Sequence, residues 1–237
     1  MNSSFTENPD VRIETSSIEA IIFDFDGTLV DSEPVWKSTF FDLFKQEYGV
    51  EVPLQILWDN TGGGVDLSVA NISNKLELNM SETEIMDTAE KLHEEMQRKI
   101  LNDLDLREGA AELLEFGRNN NIAMAICTAS TNELIDSFFN RLNLRDMFSV
   151  VVSTSESEID KRKPFPFPYL ETMRLLDVKP QNSIAVEDSP KGVTSALAAG
   201  IETIAIHNPF LDLGKLEVQP KFVVQDFLQV LELFSNE

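Results

Sequence analysis

Four short clusters of oxygen- and nitrogen-bearing residues stand out in the sequence: Asp24-Phe25-Asp26-Gly27-Thr28, Thr128-Ala129-Ser130, Lys163-Pro164 and Glu187-Asp188. Carboxylates gathered from the first and last clusters would repel one another unless a hard cation lay among them, and a donor set made only of oxygen suits Mg²⁺. Asp24, Asp188 and Glu187 are the candidates. Mg²⁺ takes one or two carboxylates and keeps waters, which leaves room for a phosphoryl oxygen. Lys163 would add a second positive charge and Thr128 a hydroxyl donor. Backbone N–H groups that follow the first two clusters, at Ala129 for example, would complete a phosphate cradle.

Asp24 and Asp26 would share one face of a continuing strand, but Gly27 points to a turn that re-aims Asp26. Their roles can then differ. An ionised Asp24 is a competent nucleophile toward phosphorus, giving an aspartyl phosphate. Asp26 could protonate the leaving oxygen and later take a proton from the attacking water. Each cluster alone has a plainer explanation. The Asp pair could be a turn with a side-chain cap, Thr128 a strand end, Lys163 a solvated lysine beside Lys161 and Arg162, and Glu187-Asp188 the approach to a capped helix at Ser189-Pro190. Their occurrence together, each beside a strand pattern, favours chemistry.

Those strand patterns are Ile18 to Phe25, Ile122 to Cys127, Ser149 to Ser153, Ser183 to Val186 and Ile201 to Ile206, all short and mostly Val- and Ile-rich. Helix-like stretches separate the later ones: Gly109 to Asn119, Asn132 to Leu142, Pro168 to Leu176 and Lys191 to Ala199. Strands joined through helices imply crossovers and a parallel sheet. The expected fold is therefore a doubly wound, Rossmann-like α/β core, with a sixth strand at Lys221 to Gln225 and a last helix at Phe227 to Phe234. Ligands bind such sheets beyond the carboxyl ends of the strands, where the four clusters fall.

Residues 32–103 lack strand signals and carry amphipathic stretches near Val35 to Tyr48 and Glu82 to Ile100, so they read as an inserted all-helical cap. The core is then 18–31 with 104–237, preceded by a loose polar arm at 1–17. The two adjacent linkers could serve as the hinge of a lid.

The 237 residues include 41 Asp and Glu against 19 Lys and Arg, a net charge of −22. That field repels a polyphosphate backbone, so nucleic acid is not an expected partner, and a small anion must be drawn in by a local cation or metal. No apolar run approaches the roughly 20 residues that span a bilayer. Cys127 is the only cysteine; the reducing cytoplasm is the expected compartment, and the thiol reads as a buried packing group. His93 and His207 lack metal-ligand spacing and read as bystanders. Trp36 and Trp58 could stack on a sugar face or simply fill a core. Gly62 to Gly64 could be a substrate-facing loop or a helix-ending turn.

The motifs D-F-D-G-T-L-V-D-S-E, I-C-T-A-S, K-R-K-P-F-P-F-P-Y and V-E-D-S-P-K-G, in this order from Ile18 to about Asn208, are together highly specific. In these the chain resembles the haloacid dehalogenase superfamily, in its helical-cap branch of β-phosphoglucomutases and sugar-phosphate phosphatases. The resemblance implies that Asp24 is the nucleophile, and that Asp26 is the acid and base as well as a Mg²⁺ ligand through its carbonyl. It implies that Thr128 and Lys163 bind phosphate, that Glu187 and Asp188 complete the Mg²⁺ site, and that the loop near Gly64 sets specificity. Mutases of that branch carry a His four residues after the position of Ser32 and an Arg in the cap loop; here those places hold Trp36 and Val65 to Leu67. Dehalogenases lack the second Asp, which Asp26 supplies. Phe167 stands where many relatives have an acid. The expected activity is hydrolysis of a small phosphorylated metabolite, a sugar phosphate, by a monomer or weak homodimer. A hexose-phosphate mutase and a binding protein without turnover are the alternatives.

Overall fold

The computed structural model describes residues 12–58, 65–155, 157–208 and 216–235. Its strands are Ile13–Glu14 (β1), Ala20–Phe23 (β2), Ala123–Thr128 (β3), Val150–Ser153 (β4), Ser183–Glu187 (β5), Glu202–Ile206 (β6), Phe222–Val224 (β7) and Phe234–Ser235 (β8). Six of them form one parallel sheet in the order β4-β3-β2-β5-β6-β7. Strand β2 lies at its centre, with Ala20 level with Ala123 on one side and with Ser183 on the other. All four of its residues are buried, as expected where helices cover both faces of a parallel sheet.

Alternation along β2 divides the core. Ile21 and Phe23 pack with Leu113, Leu114, Phe138, Phe139 and Phe227. These come from helices Ala110–Asn119 (α5), Asn132–Arg141 (α6) and Phe227–Leu233 (α9), numbered within the full helix order of the chain. Ile22 faces the other way, with Ala125, Tyr169, Met173 and Ala196. Helices Phe167–Leu176 (α7) and Pro190–Ala198 (α8) supply that layer. The chain runs outward from β2 through β3 to β4, then returns to β5 on the other flank. The carboxyl ends of β2, β3 and β5 thus meet at a topological switch point, where a crevice opens.

Between β2 and β3 the chain forms the four earlier helices, Glu33–Tyr48 (α1), Leu54–Trp58 (α2), Val65–Lys75 (α3) and Glu82–Asp103 (α4). Pro34 in the first turn of α1 and left-handed Gly49 after its last residue bound that helix. Ser81 and Glu84 exchange capping bonds at the start of α4. Phe40, Phe44, Val69, Ile72, Leu92 and Met96 bury the shared face of α1, α3 and α4. The architecture is a doubly wound, Rossmann-like α/β core with an inserted helical cap, and α4 leans on α6 of the core. Among the described residues, no helix is long and apolar enough to cross a membrane.

Three local expectations differ from the structure. The arm expected to be loose over 1–17 is tied down in its described part: Ile13 is buried, and Ile13–Glu14 pairs in parallel with Phe234–Ser235. Phe234 therefore belongs to a strand rather than to the last helix. The first core strand is also shorter than Ile18 to Phe25, because Phe25 already lies in the turn that closes when Val30 N–H donates to its carbonyl.

Candidate active site

The loop after β2 is shaped by Gly27, whose φ of +80° is open to glycine and strained for other residues. A Cβ there would also lie 2.1 Å from Asp188 Oδ2, so the loop and the end of β5 pack too tightly for any side chain. The turn sends the two aspartates into separate surroundings. Asp24 Oδ1 accepts from Lys163 Nζ at 2.6 Å, whereas Asp26 Oδ2 accepts from Ser130 Oγ at 2.5 Å. Asp26 Oδ1 is buried and has no hydrogen-bond partner.

Lys163 is the charge centre of the floor. Its Nζ lies 2.6 Å from Asp24 Oδ1 and 2.6 Å from Glu187 Oε1, and it donates to the Cys127 carbonyl at 2.9 Å. Burial alone would lower its pKa, but the Asp24 and Glu187 carboxylates outweigh that and hold it well above the usual lysine range. Glu187 is fully buried, and its Oε1 also accepts from the Tyr169 hydroxyl at 2.6 Å. Asp188 is held by the Thr28 hydroxyl on Oδ1, at 3.1 Å, and by Asn208 Nδ2 on Oδ2, at 2.5 Å. Thr128 Oγ1 accepts from the Ser130 N–H, which shapes the turn after β3 where Ala129 stands exposed.

Gly192 keeps Glu187 in place. A Cβ at that position, in the first turn of α8, would fall 2.0 Å from Glu187 Oε2. Gly192→Ala is therefore expected to displace the carboxylate and cost about 1–3 kcal/mol. Chemical denaturation measures this, and an unchanged midpoint would contradict the packing described.

Asp24, Glu187 and Asp188 each place a carboxylate oxygen within 4.8 Å of those of the other two, all three residues being buried. Burial pushes the Asp24 and Asp188 carboxyls up, and Glu187 raises both further; Lys163 opposes this at Asp24, as Asn208 and Thr28 do at Asp188. Such crowding is relieved by a divalent cation, and all three donors are hard oxygens. The unpartnered Asp26 Oδ1 is a further oxygen without a proton donor. The residues present thus fit a magnesium ion. Burial also raises the Asp26 carboxyl, against the pull of the Ser130 and Ser32 hydroxyls.

These groups form the floor of a cavity of about 610 Å³ between core and cap, lined by Asp24, Asp26, Thr128, Ala129, Lys163 and Asp188. Glu187 lies beneath Lys163, outside the lining. Trp36 faces the cavity and stacks on Phe40 at 5.4 Å between centroids, serving chamber wall and cap core together. The Trp58 side chain and Gly64 lie outside the described residues. His93, expected as a bystander, lines the chamber from α4. It lies 2.7 Å from Gln97 Nε2, which donates to Thr131 Oγ1 of the core at 2.9 Å. His207 is exposed and stays outside the lining. Cys127 is buried, and burial pushes its thiol up to about 12, which fits a packing group. Phe167 opens α7 at the surface under the Lys161 ammonium, also outside the lining.

Tyr169 closes the K-R-K-P-F-P-F-P-Y motif, but nothing in that motif announces its bond to Glu187, and two supporting residues had no motif at all. Asn208 is one. Arg107 is the other, donating to the Gly27 carbonyl at 2.6 Å and to the His207 carbonyl at 3.3 Å, while its own N–H donates to the Leu29 carbonyl. It links the return from the cap to the loop that carries both aspartates.

Glu33 begins α1 and lines the chamber half-buried. Burial pushes its carboxyl up to about 7, with Lys37 opposing and Asp26 and Asp31 adding to the rise. A folded-state value above the ordinary 4.5 means that its contribution to stability is present below that pH and is lost as pH rises through about 7. In thermal melts between pH 4.5 and 7, Glu33→Gln should therefore gain on the parent steadily as pH rises. A difference independent of pH would contradict this.

The signature of haloacid dehalogenase-like hydrolases matches residues 21–206. A relative from Thermotoga maritima, a phosphorylated carbohydrates phosphatase, is 30% identical over 192 residues, covering 79% of this chain and 84% of its own. Hexitol phosphatase B of Escherichia coli K12 is 26% identical over 210 residues, covering 88% and 90%. A crystal structure of β-phosphoglucomutase from Clostridium difficile superposes with a TM-score of 0.75 at 25% identity, covering 90% of this chain and 93% of that one. With the family signature spanning most of the sheet and all four strand-end motifs, this chain belongs to the haloacid dehalogenase-like hydrolases.

Proposed function

We propose that the chain is a magnesium-dependent phosphomonoesterase that acts on a small phosphorylated metabolite, a sugar phosphate, through a phosphoenzyme on Asp24. The observation that carries this is the floor of the chamber: three carboxylates within ligating reach of one another, with Lys163 hydrogen-bonded to the first and the unpartnered Asp26 Oδ1 alongside. Asp24, Asp188 and Glu187 would hold the ion, with the Asp26 carbonyl. When bound, magnesium offsets the charge of these acids and of the phosphoryl oxygens.

The chain's own groups divide the rest. Lys163, the Thr128 hydroxyl and the Ala129 N–H bind and orient the phosphoryl group. Asp24 attacks phosphorus as the alcohol oxygen leaves, and Asp26 gives that oxygen its proton. Water then attacks the same phosphorus, Asp26 accepts its proton, and Asp24 is released with inorganic phosphate. The cap, which we assign to 32–103, closes over the core at 18–31 and 104–237, turning on the segments near 31–34 and 102–108 and excluding bulk water during transfer. Trp36, which lines the chamber, would meet the substrate from the cap. A monomer or weak homodimer in a reducing cytoplasm suits a chain with one buried cysteine.

The names of the relatives support a phosphatase of sugar or sugar-alcohol phosphates. The likeness to β-phosphoglucomutase keeps a hexose-phosphate mutase as the second reading. Hydrolysis of p-nitrophenyl phosphate with Mg²⁺ and with EDTA decides the first reading: phosphate release with the metal and none with the chelator is expected. Isomer exchange between sugar monophosphates, primed by a bisphosphate and releasing little phosphate, would favour the second. Neither activity would leave a binding protein.

A further inference from the structure

The cap side of the chamber is unlike its floor. Glu33 and Asp66 line it half-buried, and Asp87 and Glu90 line it at the exposed rim. Against these four carboxylates, the cap lysine lining the cavity among the described residues is Lys37, whose charge already acts on Glu33. His93 of α4 also lines the chamber, 2.7 Å from Gln97 Nε2, whereas Lys45 of α1 and the lysines and arginine of α4 are engaged away from it. Lys91 pairs with Glu47 at 2.8 Å, Arg98 with Glu95 at 2.6 Å, Lys45 with Glu51 at 3.1 Å, and Lys99 donates to Thr39 Oγ1 at 3.1 Å. Much of the remaining wall is apolar: Trp36, Phe40, Leu57, Val65 and Met96.

The floor supplies cationic help for one phosphoryl group, through Lys163. Arg162 lines the core side and donates to the Ser157 carbonyl at 2.7 Å. A second acidic group on the far end of the substrate would lie between carboxylates and an apolar wall, in a chain whose net charge is already −22. Like charges so placed repel, more so where a closed cap lowers the dielectric.

We propose that this chamber selects monophosphates of uncharged alcohols, with an apolar face turned to Trp36 and Met96, and rejects esters that carry a second phosphate or a carboxylate. The inference rests on the phosphomonoesterase reading and narrows it to a substrate class. The test compares kcat/KM within matched pairs: glucose 6-phosphate against 6-phosphogluconate, glycerol 3-phosphate against 3-phosphoglycerate, and fructose 6-phosphate against fructose 1,6-bisphosphate. The member of each pair without a second acidic group is expected to win by about 10²-fold at low salt. The gap should narrow as ionic strength rises, and it should narrow in a variant combining Asp87→Asn with Glu90→Gln.

Equal or better turnover of the doubly acidic members, with p-nitrophenyl phosphate still hydrolysed, would overturn the selectivity and leave the phosphatase intact. Failure to hydrolyse any ester would overturn the phosphatase reading. Calorimetric binding of the same pairs to Asp24→Asn then decides the selectivity alone: tighter binding of the members without a second acidic group supports it, and indifference refutes it.

Discussion

Asp24→Asn is expected to lower kcat by roughly 10⁴- to 10⁶-fold, the range seen when a covalent nucleophile is removed from a catalytic set that acts as a unit. Asparagine has nearly the same shape, so the packing at the end of β2 survives. Lys163 keeps Glu187 as a partner at 2.6 Å and the Cys127 carbonyl at 2.9 Å. Burial, with Glu187 and Asp188 alongside, already disfavours the charged form of Asp24, so replacing it with a neutral amide relieves repulsion on the floor. Melting should therefore hold while turnover collapses. Steady-state kinetics beside a thermal melt check both halves. Activity within tenfold of the parent would mean that another group attacks phosphorus, and a collapsed fold would mean that Asp24 is chiefly structural.

Lys163→Met should lose activity and stability together. Removing the ammonium leaves Asp24 and Glu187 buried without their cation, and breaking a buried pair from one side costs about 3–5 kcal/mol. For a chain of this size that is a fall of roughly 6–20 °C in melting temperature. Because the carboxylates hold the lysine well above its ordinary 10.5, its contribution is fully present below that pH and is lost only as pH rises through the higher folded value. The lysine's own titration thus adds no pH dependence across the neutral range, and the deficit of Lys163→Met should widen as pH rises and the carboxyls left without their cation are forced to ionise. Added Mg²⁺ should recover part of the stability, because a divalent ion among the same carboxylates replaces some of the missing charge. A melting temperature within a few degrees of the parent would show that the network contributes little.

The floor of the site was legible because its residues follow strand patterns directly. Asp24 after β2, Thr128 at the end of β3, and Glu187-Asp188 at the end of β5 each terminate a run of buried apolar residues, and a parallel sheet brings such ends together. Gly27 announced its turn by residue type. The supporting residues were not legible, since hydrogen bonds between distant positions leave no local pattern. Asn208 reaches Asp188 across 20 positions, Tyr169 reaches Glu187 across 18, and Arg107 reaches Gly27 across 80. His93 illustrates the same limit in the cap, where spacing gives the buried face of α4 but not which residues look down on the core. The pairing of Ile13–Glu14 with Phe234–Ser235 was hidden because a two-residue strand is too short for alternation to register.

The most direct measurement is chemical trapping of the phosphoenzyme. The protein would be mixed with Mg²⁺ and an excess of a hydrolysed ester, quenched in acid within milliseconds, reduced with borohydride and mapped by peptide mass spectrometry. An acyl phosphate on Asp24 is reduced to homoserine, so conversion at position 24 that depends on substrate and is absent from Asp24→Asn is the predicted result. Rapid turnover with an unmodified Asp24, or reduction at a different carboxylate, would contradict the account.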